Sequence, residues 1–337
     1  MAGDGSGGCG VDERGVHTGT TIEHAEPFGF TRRYPRAARV EAASTGDRAA
    51  SVDHTDRMMI DAVRALGRAT AWELVDEVAV RGDVGHPQGL SRWGDDWLVS
   101  TVHPGSSTGE LLVVAADGEV VRRVDVTDGE RFHPGGFAID PTVVEAGARS
   151  PGCWIAVAEY RPRSTTTVMR LDTDLATLES FPFGDHLGAI CPLGDGTLFA
   201  VSWASRRWYR LDTAGHILEQ RTTPSRWVDL QDVVHVSSGI DGERVVATGV
   251  GGVVALACPV QLGGLVAIDV DAMTIVHDTP VAAWMPSGRV ATYNGAHLDL
   301  NADLDADLDA DSSVMLHCLV DDTTATIGTW TVQTRAT

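Results

Sequence analysis

Short apolar runs such as WELVDEVAV, DDWLVSTV, GELLVVAA and EVVRRVDV follow one another from residue 72 onward, separated by Gly/Asp turns. Runs of this length and spacing predict strands and tight turns, the sequence of an all-β sandwich, barrel or propeller. A helical period shows once, before them. In DRMMIDAVRALGR at 56–68, Met59, Val63 and Leu66 recur at i, i+4 and i+7. This predicts one short amphipathic helix, with Asp56 as N-cap and Gly67 as stop, in a lead-in over 56–71. Residues 1–55 hold no sustained period and are expected to form a disordered extension.

An internal repeat decides among the all-β architectures. His86-Pro-Gln-Gly89 opens one unit and His133-Pro-Gly-Gly136 the next. Asp185-His186-Leu-Gly188, Gln231-Asp232-Val-Val and Thr292-Tyr-Asn294-Gly295 open three more. From His86 through His133, His186, Asp232 and Asn294 the steps are 47, 53, 46 and 62 residues. Each unit goes on to a second strand (WLVSTV, CWIAVAEY, TLFAVSWA, RVVATGV, VMLHCLV) and a third, and the first four to a fourth. Four antiparallel strands every ~40–50 residues describe a propeller blade. The fifth unit ends after three strands, and WELVDEVAV at 72–80 is the missing outer strand. Closing the ring with strands from both ends of the repeat removes its free edges. The expectation is a five-bladed β-propeller over 72–337; the alternative is six blades, with a degenerate one within 250–290. An acidic low-complexity stretch, LDLNADLDADLDAD at 298–311, is expected as a solvated hairpin insert in the last blade. It lacks the glycine turn and terminal Glu of an EF-hand loop.

Charge narrows the partners. The 337 residues carry 26 basic groups, all Arg, and 47 acidic ones, a net charge of −21. Such a chain repels nucleic acid and anionic membranes, so neither is expected as a partner. No run of 18 apolar residues is present and the N-terminal stretch has no apolar h-region, which predicts a cytoplasmic protein; a start codon assigned elsewhere is the alternative. Five scattered cysteines without a CxxC spacing read as buried thiols.

In a propeller the first strand of each blade lines the central channel, and its start meets the end of the second strand on one face. Those positions give His86, His133, His186, Asp232 and Asn294 from the starts, and His103, Glu159 and Trp203 from the ends. Neutral imidazoles with a carboxylate suit a divalent metal such as Zn, Mn or Fe. The expected ligands are His86, His133 and His186, with Glu159 or Asp232 as ligand or general base. Polar channel residues that hold only water, with Asp232 bonding a neighbouring strand start, are the competing reading. The loops Glu159-Tyr-Arg161-Pro-Arg163-Ser and Trp203-Ala-Ser-Arg206-Arg207-Trp place arginines near the same mouth. Arg161 and Arg206 are expected to grip an anionic small molecule, with Trp203 and Asn294 also touching it. No GxSxG elbow, Walker loop, HExxH or helix-opening GxGxxG is present.

The strings HPQGLSRWGDDWLVSTVHPGSS, FHPGGFAID, AVAEYRPRSTTTVMRLD, DHLGAI and VSWASRRWYRLD, in that order over about 72–332, resemble an uncharacterised family of bacterial and fungal β-propellers, a domain of unknown function. The resemblance implies the fold and no activity. The chain is more distantly similar to gluconolactonase and strictosidine-synthase-like propellers. Gluconolactonases hold an axial divalent metal mainly with Glu, Asn and Asp, where this chain offers histidines, so no catalytic residue is carried over. The expected function is a metal-assisted hydrolase or lyase acting on a small anionic or carbonyl-bearing metabolite at the axial mouth. The alternative is a non-catalytic propeller that binds a ligand or a protein.

Overall fold

A computed structural model describes residues 59–332 apart from 141–143, 146–147, 150–151, 226, 238–241, 256–257, 302–312 and 321–324. The expected extension over 1–55, the Asp56 cap and most of the acidic insert lie outside the described residues. Helix α1 covers residues 59–65, as its period predicts. Strand β1 (Trp72–Ala79) follows.

Among the described residues twenty-two further strands follow, and all but one small hairpin build five blades with β1. Blade 1 is β2 (His86–Trp93), β3 (Asp96–His103), β4 (Thr108–Val114) and β5 (Val120–Asp125). Blade 2 has a divided inner strand, β6 (Arg131–Pro134) and β7 (Ala138–Asp140). A small hairpin, β8 (Val144–Glu145) and β9 (Ala148–Arg149), precedes its β10 (Gly152–Glu159), β11 (Thr166–Leu171) and β12 (Thr177–Phe183). Blade 3 is β13 (Leu187–Pro192), β14 (Leu198–Ser202), β15 (Arg207–Leu211) and β16 (Ile217–Thr222). Blade 4 is β17 (Asp229–Ser237), β18 (Arg244–Ala255), β19 (Cys258–Asp269) and β20 (Thr274–Val281). Blade 5 is β21 (Ala296–Asn301), β22 (Ser313–Val320), β23 (Thr326–Val332) and, outermost, β1. β1 pairs antiparallel with β23 from Trp72↔Val332 to Ala79↔Thr326, so the ring closes as expected. Residues 250–290 belong to blade 4 and its exit, and there is no sixth blade among the described residues.

The apolar residues pack between neighbouring blades. Met59, Val63 and Leu66 of α1 insert into the cluster shared by blades 4 and 5, against Val246, Leu265, Leu316 and others. The His277 imidazole bonds the Leu66 carbonyl at 3.0 Å and caps the helix end. Cys153, Cys191 and Cys318 are buried free thiols, which burial keeps protonated. No helix among the described residues is long and apolar enough to cross a membrane.

At the axis the inner strands crowd until only glycine fits. A Cβ on Gly136 would stand 2.2 Å from the Gln231 carbonyl oxygen, and one on Gly295 would stand 2.3 Å from the Gly89 carbonyl carbon. Gly136 leaves its own blade to bond blade 3: its N–H reaches the Gly188 carbonyl at 2.8 Å, and its carbonyl accepts from Ile190 at 3.2 Å. The glycines thus let the blades meet main chain to main chain.

Candidate functional site

The inner strands share a local irregularity that builds the mouth. Pairing slips by one residue between Pro87 and Gly89 in blade 1, Leu187 and Ala189 in blade 3, and Leu230 and Asp232 in blade 4. The bulged residue of each pair is Gln88, Gly188 or Gln231. A bulge re-aims a side chain, so one strand end presents two residues to the same space. His86 and Gln88 line the axial cavity together, and so do Asp229 and Gln231.

This alignment corrects the register of blade 4. Its inner strand starts at Asp229, three residues before Asp232. Asp229 therefore corresponds to His86, and Asp232 to Gly89. In Asp232, the fourth blade carries a side chain where the others have glycine or alanine, and that side chain fills the axis. Its Oδ2 accepts from the Leu90 N–H at 3.0 Å and its Oδ1 from Val233 at 3.1 Å. The N–H groups of Ala296 and Phe137 also bond this carboxyl. Burial drives the Asp232 pKa well up, against these four backbone donors. Asp232 thus ties blades 1, 2, 4 and 5 together and does not line the cavity.

The cavity has a volume of about 380 Å³. Of the residues expected there, His86, His133, His186, Arg161, Trp203 and Asn294 line it; Glu159, Asp232 and Arg206 do not. The sequence reading missed Gln88, Tyr160, Asp229, Gln231, Gln261 and Tyr293. Two-residue periodicity from His86 points at Gln88, and Tyr160 directly follows the end of a second strand. Gln261 comes from the long β18–β19 hairpin, for which the repeat gives no signal.

His133 and His186 form a directed chain. The Arg161 carbonyl oxygen lies 2.9 Å from His186 Nδ1. A carbonyl only accepts, so this nitrogen carries the proton. The Ser164 hydroxyl lies 3.0 Å from the same nitrogen and donates to the Glu159 carbonyl at 3.3 Å. In a neutral His186, Nε2 is then a lone pair, and His133 Nδ1, 3.3 Å away, donates to it. The remaining nitrogen, His133 Nε2, is an acceptor with no partner among the described residues. Burial first, then the neighbouring His186 and His86, lower the His133 pKa to about 3. Burial also lowers that of His186, although the Arg161 carbonyl and Asp185 oppose it. Both rings are neutral at physiological pH. Trp203 stacks on His186 at 4.9 Å between ring centroids, and Tyr160 meets His133 edge-on at 4.9 Å.

Two other cavity groups stand out. Asn294 is 3% exposed, and its Nδ2 has no hydrogen-bond partner among the described residues. Asp229 accepts from the Ser205 hydroxyl at 3.0 Å, and burial raises its pKa against the bonds from Ser205 and Gln231.

Glu159 is held outside this cavity. Burial alone would raise its pKa, but bonds from the Thr165 main chain, Arg161 and the Thr165 hydroxyl lower it. Its carboxylate accepts from Arg161 Nε at 2.6 Å and from the Thr165 hydroxyl at 3.1 Å. Arg206 reaches a neighbouring groove. His103, at the end of β3, is paired to Glu110 at 3.1 Å. Among the described residues no three His, Cys, Asp or Glu side chains are grouped to hold a metal ion. The expected trio His86, His133 and His186 does not form such a set.

Residues 49–303 match a family of unknown function, DUF6454. No curated protein matches the chain. Several solved structures are similar to it at low identity. Hydrazine synthase from Kuenenia stuttgartiensis is 15% identical with a TM-score of 0.37, over 71% of this chain and 64% of that one. Virginiamycin B lyase from Staphylococcus aureus is 12% identical with a TM-score of 0.37, over 78% and 74%. A luciferin-regenerating enzyme is 11% identical with a TM-score of 0.38, over 77% and 78%. The chain spans just under two thirds of the hydrazine synthase chain. Likeness at this level carries nothing about the site.

Proposed function

Since the chain belongs to the DUF6454 family, whose function is unknown, we propose a function from the mouth alone: a hydrolase or lyase acting on a small carbonyl-bearing anion. The observation that carries this is the Asn294 Nδ2 donor, buried behind the cavity wall without a partner among the described residues. An unpaired buried donor costs about 1–3 kcal/mol, and a small shift of the Asn294 side chain toward the cavity would let a ligand carbonyl oxygen relieve it.

The other groups fall into place around that carbonyl. Asp229, with its raised pKa, holds and moves the proton at its carboxyl. His133 Nε2 accepts a hydrogen bond from a ligand hydroxyl or an attacking water. His186 and the Arg161 carbonyl are positioning groups that fix the His133 tautomer. Glu159 holds the Arg161 guanidinium. The catalytic role expected of Asp232 passes to Asp229, and Asp232 keeps the blades together.

A non-catalytic binding propeller is the second reading, and the His133 pKa of about 3 favours it, because so weak a base moves protons poorly. A panel of small hydroxy acids, keto acids and lactones separates the two. Turnover that is lost in Asp229→Asn, while Asn294→Ala raises KM or lowers kcat, supports the enzyme. Saturable binding without turnover supports the binding module. Turnover unchanged in both variants overturns the proposed roles.

A further inference from the structure

A second cavity, of about 520 Å³, lies beside the mouth between blades 2 and 3, with Arg163, Ser164, Asp185, Arg206, Arg207 and Thr222 in its lining. Three guanidiniums here face one carboxylate. Asp185 is 3.5 Å from Arg206 and 3.6 Å from Arg207, and it also accepts from the Tyr209 hydroxyl at 2.8 Å. Arg163 makes no hydrogen bond or ion pair among the described residues. Some arginines elsewhere are matched more tightly, among them Arg81 with Asp117 at 2.9 Å, Arg170 with Asp140 at 3.0 Å and Arg244 with Asp269 at 3.0 Å. The groove thus carries a cationic surplus of two on a chain of net charge −21.

The backbone is bent to make this groove. Arg163, Ala204 and Ser205 are non-glycine residues with φ of 56°, 56° and 45°. Such left-handed turns cost on the order of 1 kcal/mol each and persist where their surroundings hold them. The Ser205 hydroxyl is fixed by donating to Asp229 and accepting from the Leu230 N–H at 2.6 Å. The two loops come from different blades, and their turns bring Arg163 to face Arg206 and Arg207. Ser164 lines the groove and bonds His186 of the mouth, so the two cavities adjoin.

We infer that this groove is a phosphate subsite, binding the phosphoryl group of a metabolite whose carbonyl end lies in the mouth. A phosphate monoester carries a charge near −2 at neutral pH, which matches the surplus, and guanidiniums bind its oxygens in pairs. The link to a carbonyl end rests on the reading of the mouth; the phosphate site itself does not.

The test uses the full-length protein and inorganic phosphate, followed by calorimetry and thermal melting at pH 7.5 and constant ionic strength. Chloride and acetate are the comparison anions. Phosphate is expected to bind saturably and to raise Tm more than either. Arg163→Ala and Arg207→Ala each weaken phosphate about tenfold, while the exposed Arg122→Ala and the mouth variant Asn294→Ala leave it unchanged. A phosphate effect no larger than that of chloride overturns the inference, as does equal binding by wild type, Arg163→Ala and Arg207→Ala. Loss in Asn294→Ala alone would put the anion in the mouth and also overturn it. The reading of the mouth fails separately, on phosphate-free substrates with Asp229→Asn.

Discussion

Among the described residues two pairs of imidazoles meet, and their surroundings differ. His297 and His317 are buried between blades 5 and 1, where Asp299 lies 3.2 Å from one and 3.4 Å from the other. Arg92 approaches the same carboxylate at 3.6 Å and lies over the Trp97 ring. His317 Nδ1 meets the Thr329 hydroxyl at 3.0 Å, and Ser91 stands 3.5 Å from His297. Each ring nitrogen there has a protein group within 3.5 Å, although His317 Nε2 makes no hydrogen bond among the described residues and meets Asp299 only at ion-pair range. The His133–His186 chain has no carboxylate; it starts on a main-chain carbonyl and stops at a bare nitrogen in a cavity. Burial alone does not separate the pairs, since it lowers the pKa of His317 as it does that of His186. What separates them is whether a carboxylate inside the protein faces the rings, as Asp299 faces His297 and His317, or the outer nitrogen is left to a cavity. The same contrast holds for two carboxylates on β17: Asp232 is spent on four main-chain donors, while Asp229 opens on the cavity.

The largest effect that would break this contrast is at Asp232. Asp232→Ala leaves buried main-chain donors unpaired at about 1–3 kcal/mol each, so a stability loss of at least about 3 kcal/mol is expected in urea unfolding. A loss under about 1 kcal/mol would mean that the axis is not tied there. Next is Asp299→Asn, which removes the charge shared by two imidazoles. It is expected to cost about 2 kcal/mol and to leave ligand binding at the mouth untouched.

The third expectation concerns acid. His133 has a folded pKa of about 3 against 6.5 for a free histidine. As pH falls, the unfolded chain takes up this proton first, so the stability is complete above about 6.5 and drains between 6.5 and 3. At pH 5 the loss from this group is about 2 kcal/mol. His133→Asn should shrink the stability difference between pH 7 and pH 5 by that amount. The raised pKa of Asp229 works in the opposite sense: its contribution is complete below the unfolded carboxyl value and fades as pH rises through the folded one. The smallest effect is therefore Asp229→Asn at pH 7, within about 1 kcal/mol of wild type in stability, with its consequence in turnover.

The wheel was legible in the sequence because its signals are local and recur: turn residues, two-residue alternation and a repeating HPxG-like start. Trp72–Ala79 was readable as the closing strand because the last unit is one strand short. The mouth was half legible. His86, His133, His186 and Asn294 sit where the repeat puts them, but blade 4 was read three residues late. Asp232 looks like a strand start, and only the close approach of Gly89 and Gly136 shows that its side chain fills the space they leave. The second imidazole pair was not legible, because contact between His297 and Ser91 depends on how blades 5 and 1 face each other. The groove with three arginines depends likewise on two loops meeting from separate blades.

The most direct test is 15N NMR of the histidine side chains in the ligand-free protein. The structure predicts that His133 carries its proton on Nδ1, shows an unprotonated Nε2, and does not titrate between pH 7 and pH 4. A proton on Nε2, or a midpoint near 6.5, would mean that this nitrogen is not held ready for a ligand, and the contrast between the two pairs would fall.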